Sequence, residues 1–441
     1  MNHDVGIAAL AVISACFVLW GLVSARLERW DVSAPIAFVV LGLVVTHGPT
    51  ALIHVNLHSS TLRTLAEVTL ALVLFADASR VNARQLRLSA AQPLRLLCIG
   101  LPLTIAAGAA VAALLFGGNG LWVAALIGAI VAPTDAALGA SVMSDERVPA
   151  GVRRLINVES GLNDGIATPF VNLFLAGALT SEAVLHAQSV SSAVVDLVGG
   201  AGIGAGVGIV GGALLAFSRR RGWGSSEFRP LAILALALCA YSCAVVAGTN
   251  GFIAAFVGGM AFGTIAHRND EEGLRLTEEG GTLLSLLVWF AFGAVMLVPG
   301  IEDARWRDVV FALLALTVLR MLPVGLALAG SGLDRATVAF VGWFGPRGLA
   351  SVVFGLIAVD ALPPEQSKVV LAVVTVTVAS SVLLHGITAS PLAARYGAAA
   401  ARTRPQKHAG DFELEPLAIR TLQRSRQRST VSEPSEEQTP E

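Results

Sequence analysis

Apolar stretches of about 20 residues recur along most of the chain and alternate with short polar segments that hold most of its charged residues. A helix needs about 20 mostly apolar residues to cross the hydrocarbon core of a bilayer, and by that criterion the pattern predicts about thirteen spans. Their expected limits are 5–24, 33–50, 62–79, 92–116, 120–144, 152–178, 190–217, 230–247, 250–266, 281–298, 308–330, 334–358 and 367–394. The predicted fold class is therefore an all-α polytopic membrane protein.

The composition supports the same fold class. Of the 441 residues, 55% are hydrophobic and 14% are charged, whereas a soluble domain carries about 25% charged residues. The formal net charge of -1 gives no indication of a nucleic-acid partner. From residue 397 onward Arg, Glu, Ser, Pro and Gln dominate the sequence. We therefore expect a transmembrane domain over 1–396 and a disordered cytoplasmic tail over 397–441.

Arginine and lysine are distributed unevenly between the predicted loops. If the N-terminus lies outside, the inner loops carry about four times as many of these residues as the outer loops, as the positive-inside rule requires. The first apolar run is preceded by Met1–Asp4, which contains no Lys or Arg, so it is interpreted as a retained span rather than a secretory signal. We expect a multi-pass protein of the cell (inner) membrane, with its N-terminus outside and its C-terminus in the cytoplasm.

Two of the predicted spans are interrupted by a proline, span five at 132–136 and span twelve at 345–349. Span twelve comes seven spans after span five, an odd step, so the two would run in opposite directions across the membrane. Interrupted segments in matching positions of two halves are typical of transporters built from inverted repeats. The sequence therefore predicts inverted repeats with two broken helices.

The interruption of span five brings together groups that suit a cation. Pro133 removes a helix hydrogen bond and clashes with the carbonyl one turn back. Released backbone groups at membrane depth are tolerated only beside a cavity or buried protein. The carbonyls, the Thr134 hydroxyl and the Asp135 carboxylate are suitable ligands for a monovalent cation. A simple kink, with Asp135 paired to an arginine, is the alternative.

Span six carries Glu159, Ser160, Asn163 and Asp164. Charged residues at such depth are costly and commonly functional. Ser160 and Asp164 share one face of a helix, and Glu159 and Asn163 share the neighbouring face. Glu159 and Asp164 lie about 140° apart around the helix axis. We therefore predict different roles, with Asp164 facing a cavity and Glu159 facing a fixed positive partner.

Two arginines, Arg320 in span eleven and Arg347 in the span-twelve interruption, are available as such partners. An arginine stays charged in proteins, so each is expected to need an acid. Counting these against Asp135, Glu159 and Asp164 leaves one acid over. A single buried carboxylate that binds either a proton or a cation is what one-for-one exchange requires. A neutral polar network that only holds the helices together is the alternative.

These segments together resemble a known family. The run Pro133-Thr134-Asp135, the run 159–164, Arg320 and the Gly-Pro-Arg-Gly-Leu run at 345–349 are similar to the motifs of the monovalent cation:proton antiporter-1 family, which includes NhaP-type Na⁺/H⁺ antiporters. The resemblance implies thirteen spans with crossed broken helices, a homodimer and elevator-like alternating access. Asn163 before Asp164, where the electrogenic sister group has two aspartates, implies electroneutral exchange of one H⁺ for one Na⁺ or Li⁺.

The resemblance also implies residue roles. Asp164 is the expected ion-binding and proton-exchanging carboxylate, and Na⁺ would lie at Asp164 and Asp135. Asp135, the Thr134 backbone and Ser160 are expected to complete the ion shell, and Asn163 is expected to orient the site by hydrogen bonds. Glu159 and Arg320 are expected to form a structural ion pair. Arg347 is expected to hold the broken helix. Na⁺, Li⁺ or K⁺ and H⁺ are transported ions, and no cofactor is expected.

Three other functions are alternatives to Na⁺/H⁺ exchange. A K⁺/H⁺ antiporter of the K⁺-efflux type would use the same chemistry, and a transport-dead protein could use the fold to sense ions. An intramembrane hydrolase is disfavoured because no nucleophile motif such as GxSxG accompanies the Ser, His and Asp residues, so we predict a transporter and not an enzyme. His385 in the last span is predicted to be a buried histidine with satisfied hydrogen bonds.

Overall fold

The computed structural model describes residues 2–30, 32–47, 51–52, 57, 59–80, 91–179, 188–265 and 271–403. Within these ranges the regular secondary structure is all helical and forms sixteen helices of four or more residues. They are α1 Asn2–Leu27, α2 Ala34–Thr46, α3 Ser60–Ser79, α4 91–116, α5 Leu121–Val131, α6 Ala140–Met143, α7 Ala150–Leu179, α8 Gln188–Arg221, α9 Phe228–Val246, α10 Gly251–Ile265, α11 271–302, α12 Trp306–Leu316, α13 Val318–Ala327, α14 Arg335–Trp343, α15 Leu349–Ala361 and α16 Pro364–Thr403.

Every predicted span coincides with a helix or with two helices in sequence, so the all-α polytopic fold class is confirmed. Seven helical stretches of the described chain are long and apolar enough to cross a membrane. Four shorter apolar helices accompany them: Ala34–Thr46, Leu121–Val131, Gly251–Ile265 and Leu349–Ala361. The short helix α5 ends at the first of the two interruptions that the prolines predicted, and the short helix α15 begins at the second.

The interruption after α5 covers 132–139, and the one between α14 and α15 covers 344–348. These two breaks lie against each other in the centre of the molecule, where the backbone N–H of Asp135 donates a 2.7 Å hydrogen bond to the carbonyl of Pro346. The released ends of α5 and α15 therefore meet at one place, which we call the crossing.

Span eleven also departs from a single helix, and this break was not predicted. It consists of α12 and α13, which meet at Thr317 with a backbone φ of −114° and ψ of −94°. The Thr317 hydroxyl donates a 2.6 Å hydrogen bond to the Leu313 carbonyl, which supports the end of α12. The change of direction at Thr317 places Arg320, near the start of α13, inside the protein.

The last helix continues to Thr403, seven residues beyond the expected end of the transmembrane domain at 396. This extension is rich in alanine, which has the highest helix propensity of the amino acids. The rest of the expected tail, 404–441, lies outside the described residues.

Candidate functional site

The crossing depends on two glycines that allow close approach. A Cβ atom at Gly345 would lie 2.6 Å from Nε of Arg320, and one at Gly348 would collide with the Asp135 carboxylate. Ser351, in the first turn of α15, donates a 2.7 Å hydrogen bond to the Ile130 carbonyl, which the end of α5 leaves without a helical partner. The two broken helices are thus joined through side chains and backbone alike.

Asp135 binds the beginning of α15. Its Oδ2 accepts a 2.9 Å hydrogen bond from the backbone N–H of Leu349, and its Oδ1 accepts a 2.7 Å bond from Ala137 N–H. A carboxylate at the N-terminus of a helix is stabilised by the unpaired N–H groups and by the helix dipole. Each carboxylate oxygen retains a further lone pair, so this arrangement leaves acceptor capacity on Asp135.

Arg347 holds carbonyl groups that the helix breaks release. Its Nη1 donates to the carbonyl of Ala132 at 2.6 Å and lies 3.4 Å from that of Pro133, and its Nη2 donates to the carbonyl of Ala315 at 3.0 Å. Ala132 and Pro133 follow α5, and Ala315 lies beside the α12–α13 break. The guanidinium is 1% exposed and therefore joins both interruptions inside the protein.

The expectation that Arg347 needs an acid is therefore wrong. Within the described part of the chain its guanidinium contacts carbonyl oxygens rather than a carboxylate. Carbonyls released at a break carry partial negative charge and satisfy a buried guanidinium in place of an acid. Counting acids against arginines therefore does not by itself identify the exchanging carboxylate. In addition, Arg347 binds the carbonyls of Ala132 and Pro133, two of those considered as cation ligands.

Glu159 and Arg320 form a buried pair, which is the pairing that the family resemblance implied. Nη1 of Arg320 donates to Oε1 of Glu159 and Nη2 donates to Oε2, each at 2.8 Å. The two side chains are 1% and 2% exposed, respectively. Two parallel charge-assisted hydrogen bonds are the strongest geometry available to this pair. The pair fixes α7 against α13.

Thr134, Ser160 and Asn163 lie directly beside this pair. The Thr134 hydroxyl accepts a 2.6 Å hydrogen bond from Nδ2 of Asn163 and lies 3.0 Å from Oγ of Ser160. It also lies 3.4 Å from Oε2 of Glu159, so the break after α5 and the buried pair belong to one network. The structure therefore brings together Thr134, Ser160 and Asn163, three residues to which the family resemblance assigned roles in the site.

Asp164 follows Asn163 on α7 and is 8% exposed, compared with 1% for Glu159 on the neighbouring face. α7 is surrounded by α3, α5, α8 and α10. Asp77 of α3 faces α7 at Gly161, where an added Cβ would lie 3.8 Å from Cβ of Asp77. Sequence reasoning gave Asp77 no role in the site because it lies at the predicted end of span three.

Ser351 and Ser381 are further residues at the crossing that sequence reasoning missed. Ser381 of α16 accepts a 2.6 Å hydrogen bond from the backbone N–H of Arg347. Both are serines within apolar helices, and nothing in their local pattern distinguishes them from serines that bond to their own helix. Their partners are backbone groups of distant elements, which only the fold specifies.

Comparison with known proteins gives concordant similarities. The family model "Sodium/hydrogen exchanger, transmembrane" matches residues 12–395. A probable Na⁺/H⁺ antiporter of Schizosaccharomyces pombe, C3A11.09, is 28% identical over 59% of this chain and 39% of its own length. The K⁺/H⁺ antiporter NhaP2 of Shewanella sp. strain ANA-3 is 26% identical over 85% of this chain and 64% of its own length. The chain thus spans less than two thirds of these relatives.

The fold is also similar to a solved structure. The sodium proton antiporter MjNhaP1 from Methanocaldococcus jannaschii, solved at pH 8, superposes with a TM-score of 0.70 and 20% sequence identity. The match covers 89% of this chain and 99% of that one. The similarity confirms the all-α antiporter fold that the sequence predicted.

Proposed function

The chain belongs to the sodium/hydrogen exchanger family, and from that premise we propose that it exchanges Na⁺ or Li⁺ for H⁺ across a membrane at Asp164. The observation that carries the proposal is the buried Glu159–Arg320 pair beside Asp164 on the same helix, at a crossing of two broken helices. Because the charge of Glu159 is neutralised by Arg320, the two acids of α7 have different tasks. Asp164 is the one assigned to the transported ions.

The proposed mechanism is competition for one carboxylate. An ionised carboxylate is costly to move through a low-dielectric interior. A bound proton or a bound monovalent cation neutralises it, so either occupant permits the protein to change which side of the membrane the site faces. An empty, charged site opposes that change. Alternating access with one occupant in each direction then couples cation movement to proton movement.

We further propose that Asp135, Thr134, Ser160 and Asn163 complete the ion shell around Asp164. Carboxylate, hydroxyl and carbonyl oxygens are the ligands that hard cations prefer. The network in which Asn163 donates to Thr134, and Thr134 meets Ser160, supports this assignment because it orients the oxygen atoms of two elements towards each other. Asp135, fixed on the first turn of α15, would bring the second broken helix into the same shell.

Asn163 supports an electroneutral stoichiometry. A neutral amide next to Asp164 adds no second titrating carboxylate, so one proton exchanges for one monovalent cation. We propose in addition that the protein is a homodimer of the cell (inner) membrane, with its N-terminus outside and its C-terminus in the cytoplasm. The arginine-rich inner loops support this orientation.

The experiment is proton flux in everted vesicles from a bacterial strain that lacks its own antiporters. Na⁺, Li⁺ or K⁺ is added in turn, and a pH-sensitive dye reports proton movement for the wild-type protein and for Asp164→Asn. We expect flux from the wild-type protein and none from the variant. Flux that persists in Asp164→Asn would overturn the assignment of the exchanging carboxylate. Absence of flux for every ion, from protein shown to be inserted and folded, would favour an ion sensor.

K⁺/H⁺ antiport is the second candidate, supported by the similarity of the Shewanella NhaP2 proteins over 85% of this chain. Oxygen ligands accept Na⁺, Li⁺ and K⁺ alike, so the chemistry of the proposed shell does not choose between them. The rank order of the three ions in the same vesicle assay decides. A response to K⁺ at concentrations where Na⁺ gives none would replace the first candidate with the second.

A further inference from the structure

His385 of α16 is buried, with 3% of its surface exposed, and both nitrogens of its ring meet oxygen atoms. Nε2 lies 2.9 Å from the carbonyl of Trp343 at the end of α14. Nδ1 lies 2.9 Å from the carbonyl oxygen of Ser381 and 3.2 Å from the Ser381 hydroxyl. A neutral imidazole has one N–H and an imidazolium has two, whereas a carbonyl oxygen can only accept. The partner of Nδ1 therefore depends on the protonation of the ring.

Ser381 connects this histidine to the crossing. Its hydroxyl accepts the 2.6 Å hydrogen bond from the backbone N–H of Arg347. The guanidinium of Arg347 binds the carbonyls released after α5 and at the end of α12. A change at the Ser381 hydroxyl thus acts on the residue that joins three broken elements.

Two hydrogen-bond arrangements follow from the ring's two states. In the neutral state Nε2–H donates to Trp343, and the Ser381 hydroxyl accepts from Arg347 while donating to Nδ1. In the protonated state the proton taken up from water resides on Nδ1, which donates to the Ser381 carbonyl. The serine hydroxyl then loses its acceptor on the ring, and its hydrogen must rotate towards another acceptor, which alters the bond that its oxygen accepts from Arg347.

The charges around the ring are both positive. Arg347 is linked to the ring through the Ser381 hydroxyl, and Arg320, which is paired with Glu159 of α7, is the second cation whose charge opposes protonation of the ring. The other groups against the ring are Trp343 and Phe344, whose ring centroids lie 5.4 Å and 6.5 Å away and which carry no charge. Protonation of His385 therefore adds a third cation to the same electrostatic field as the crossing.

We propose that His385 is a positioning residue of the exchanger: protonation of its ring, acting through the Ser381 hydroxyl on Arg347, loosens the crossing and sets the acid limit of transport. The inference rests on the proposed function. It assigns the regulation of transport by pH to a residue outside the ion shell. Histidine is the side chain whose charge ordinarily changes between about pH 5 and pH 8. Burial and the two nearby guanidinium groups oppose protonation of this ring, so transport should fall on the acid side of neutrality.

The test measures cation-dependent proton flux at several pH values for the wild-type protein, His385→Gln, Ser381→Ala and Ser381→Thr. In the wild-type protein the ratio of the rate at about pH 8 to that at about pH 6 should be at least about threefold larger than in His385→Gln or Ser381→Ala. Ser381→Thr keeps the hydroxyl and should restore the wild-type profile. Thr388→Val is the matched control, because it removes the 3.0 Å bond from Trp343 Nε1 without touching His385. An unchanged profile in folded His385→Gln overturns the proposal.

A second measurement does not depend on transport. Magnetic resonance of protein with ¹³C- and ¹⁵N-labelled histidine, with the His385→Gln spectrum subtracted, reports the protonation of this ring directly. We expect an Nε2–H tautomer at high pH that converts to the doubly protonated ring on acidification, with the tautomer disturbed in Ser381→Ala. A ring whose state is constant over the interval overturns the relay. If no variant transports any ion but the ring titrates as described, the hydrogen-bond relay from His385 to Ser381 stands, whereas its role in transport fails together with the proposed function.

Discussion

Buried charges near the crossing are stabilised in two ways at the scale of single residues. Glu159 and Arg320 neutralise each other through two 2.8 Å hydrogen bonds. Arg347 is held by backbone carbonyls instead. Removing one partner of a buried pair leaves an uncompensated charge in a low-dielectric interior, whereas removing both leaves none. The two kinds of variant should therefore differ sharply.

Arg320→Met is expected to lower the free energy of unfolding by about 3–5 kcal/mol, because the Glu159 charge loses its partner. The double variant Glu159→Gln with Arg320→Met should recover much of that loss, since Gln keeps an acceptor for Thr134 and Asn163 without the charge. Thermal unfolding in one detergent, with chemical denaturation where reversible, measures the differences. A double variant that is as unstable as the sum of both single variants would show that the pair is not the source of the stability.

The same scale shows what side-chain patterns can and cannot predict. The faces of α7 predicted a fixed positive partner for Glu159, with Arg320 and Arg347 both available, and the family resemblance selected Arg320. The partners of Asp135 and Arg347 were not predictable, because they are backbone N–H and C=O groups released at helix breaks. A count of acidic and basic side chains omits these groups, although their partial charges also stabilise ions.

At the scale of helices, the prolines in spans five and twelve correctly predicted two interruptions. The break at Thr317 gave no such signal, because 308–330 reads as one continuous apolar segment and its proline, Pro323, lies six residues further on. Hydropathy reports only whether a segment can lie in lipid, while a break depends on which neighbouring side chains can bind the released carbonyls. Arg347 fulfils that role for Ala315.

Glycine substitutions test the close approach of the broken helices. Gly348→Ala should prevent Asp135 from binding the first turn of α15, because the added methyl group would occupy the place of its carboxylate. Gly345→Ala should displace Arg320, whose Nε would lie 2.6 Å from the new carbon atom. Both variants are expected to lose folded yield in detergent and cation-dependent flux, with destabilisation of about 1–3 kcal/mol or more, typical of overpacking.

Gly325→Ala is the matched control for these two variants. It lies in α13 with nothing within 4 Å of an added Cβ, and alanine favours helix more than glycine does. It should therefore leave stability unchanged or raise it by about 0.5–1 kcal/mol. Normal folding and transport by Gly348→Ala would mean that the crossing tolerates a side chain there and that Asp135 does not need its place on α15.

At the scale of the whole molecule, α15 is bound to other helices at both of its ends. Its first turn is bound by Asp135 at the crossing, and near its end Asp360 forms a 2.9 Å ion pair with Arg63 of α3. Thirteen residues of helix give a rise of about 20 Å, so this element links the crossing to the edge of the molecule. Any movement of α15 relative to α3 that exposes the site must separate Arg63 from Asp360.

Arg63 and Asp360 are partly exposed, at 48% and 30%, so their pair should be worth no more than about 1 kcal/mol and should weaken with salt. Arg63→Gln and Asp360→Asn should each raise hydrogen exchange of the outer ends of α3 and α15 by up to about fivefold at low ionic strength. The double variant should show no further increase, because the interaction is already lost. Lys368→Gln is the control, since Lys368 contacts Glu365 within α16 and joins no two helices. If wild-type protein and Arg63→Gln exchange hydrogen at the same rate at low ionic strength, the pair does not hold α15 against α3. If the effects of the two substitutions add in the double variant, the two residues act separately.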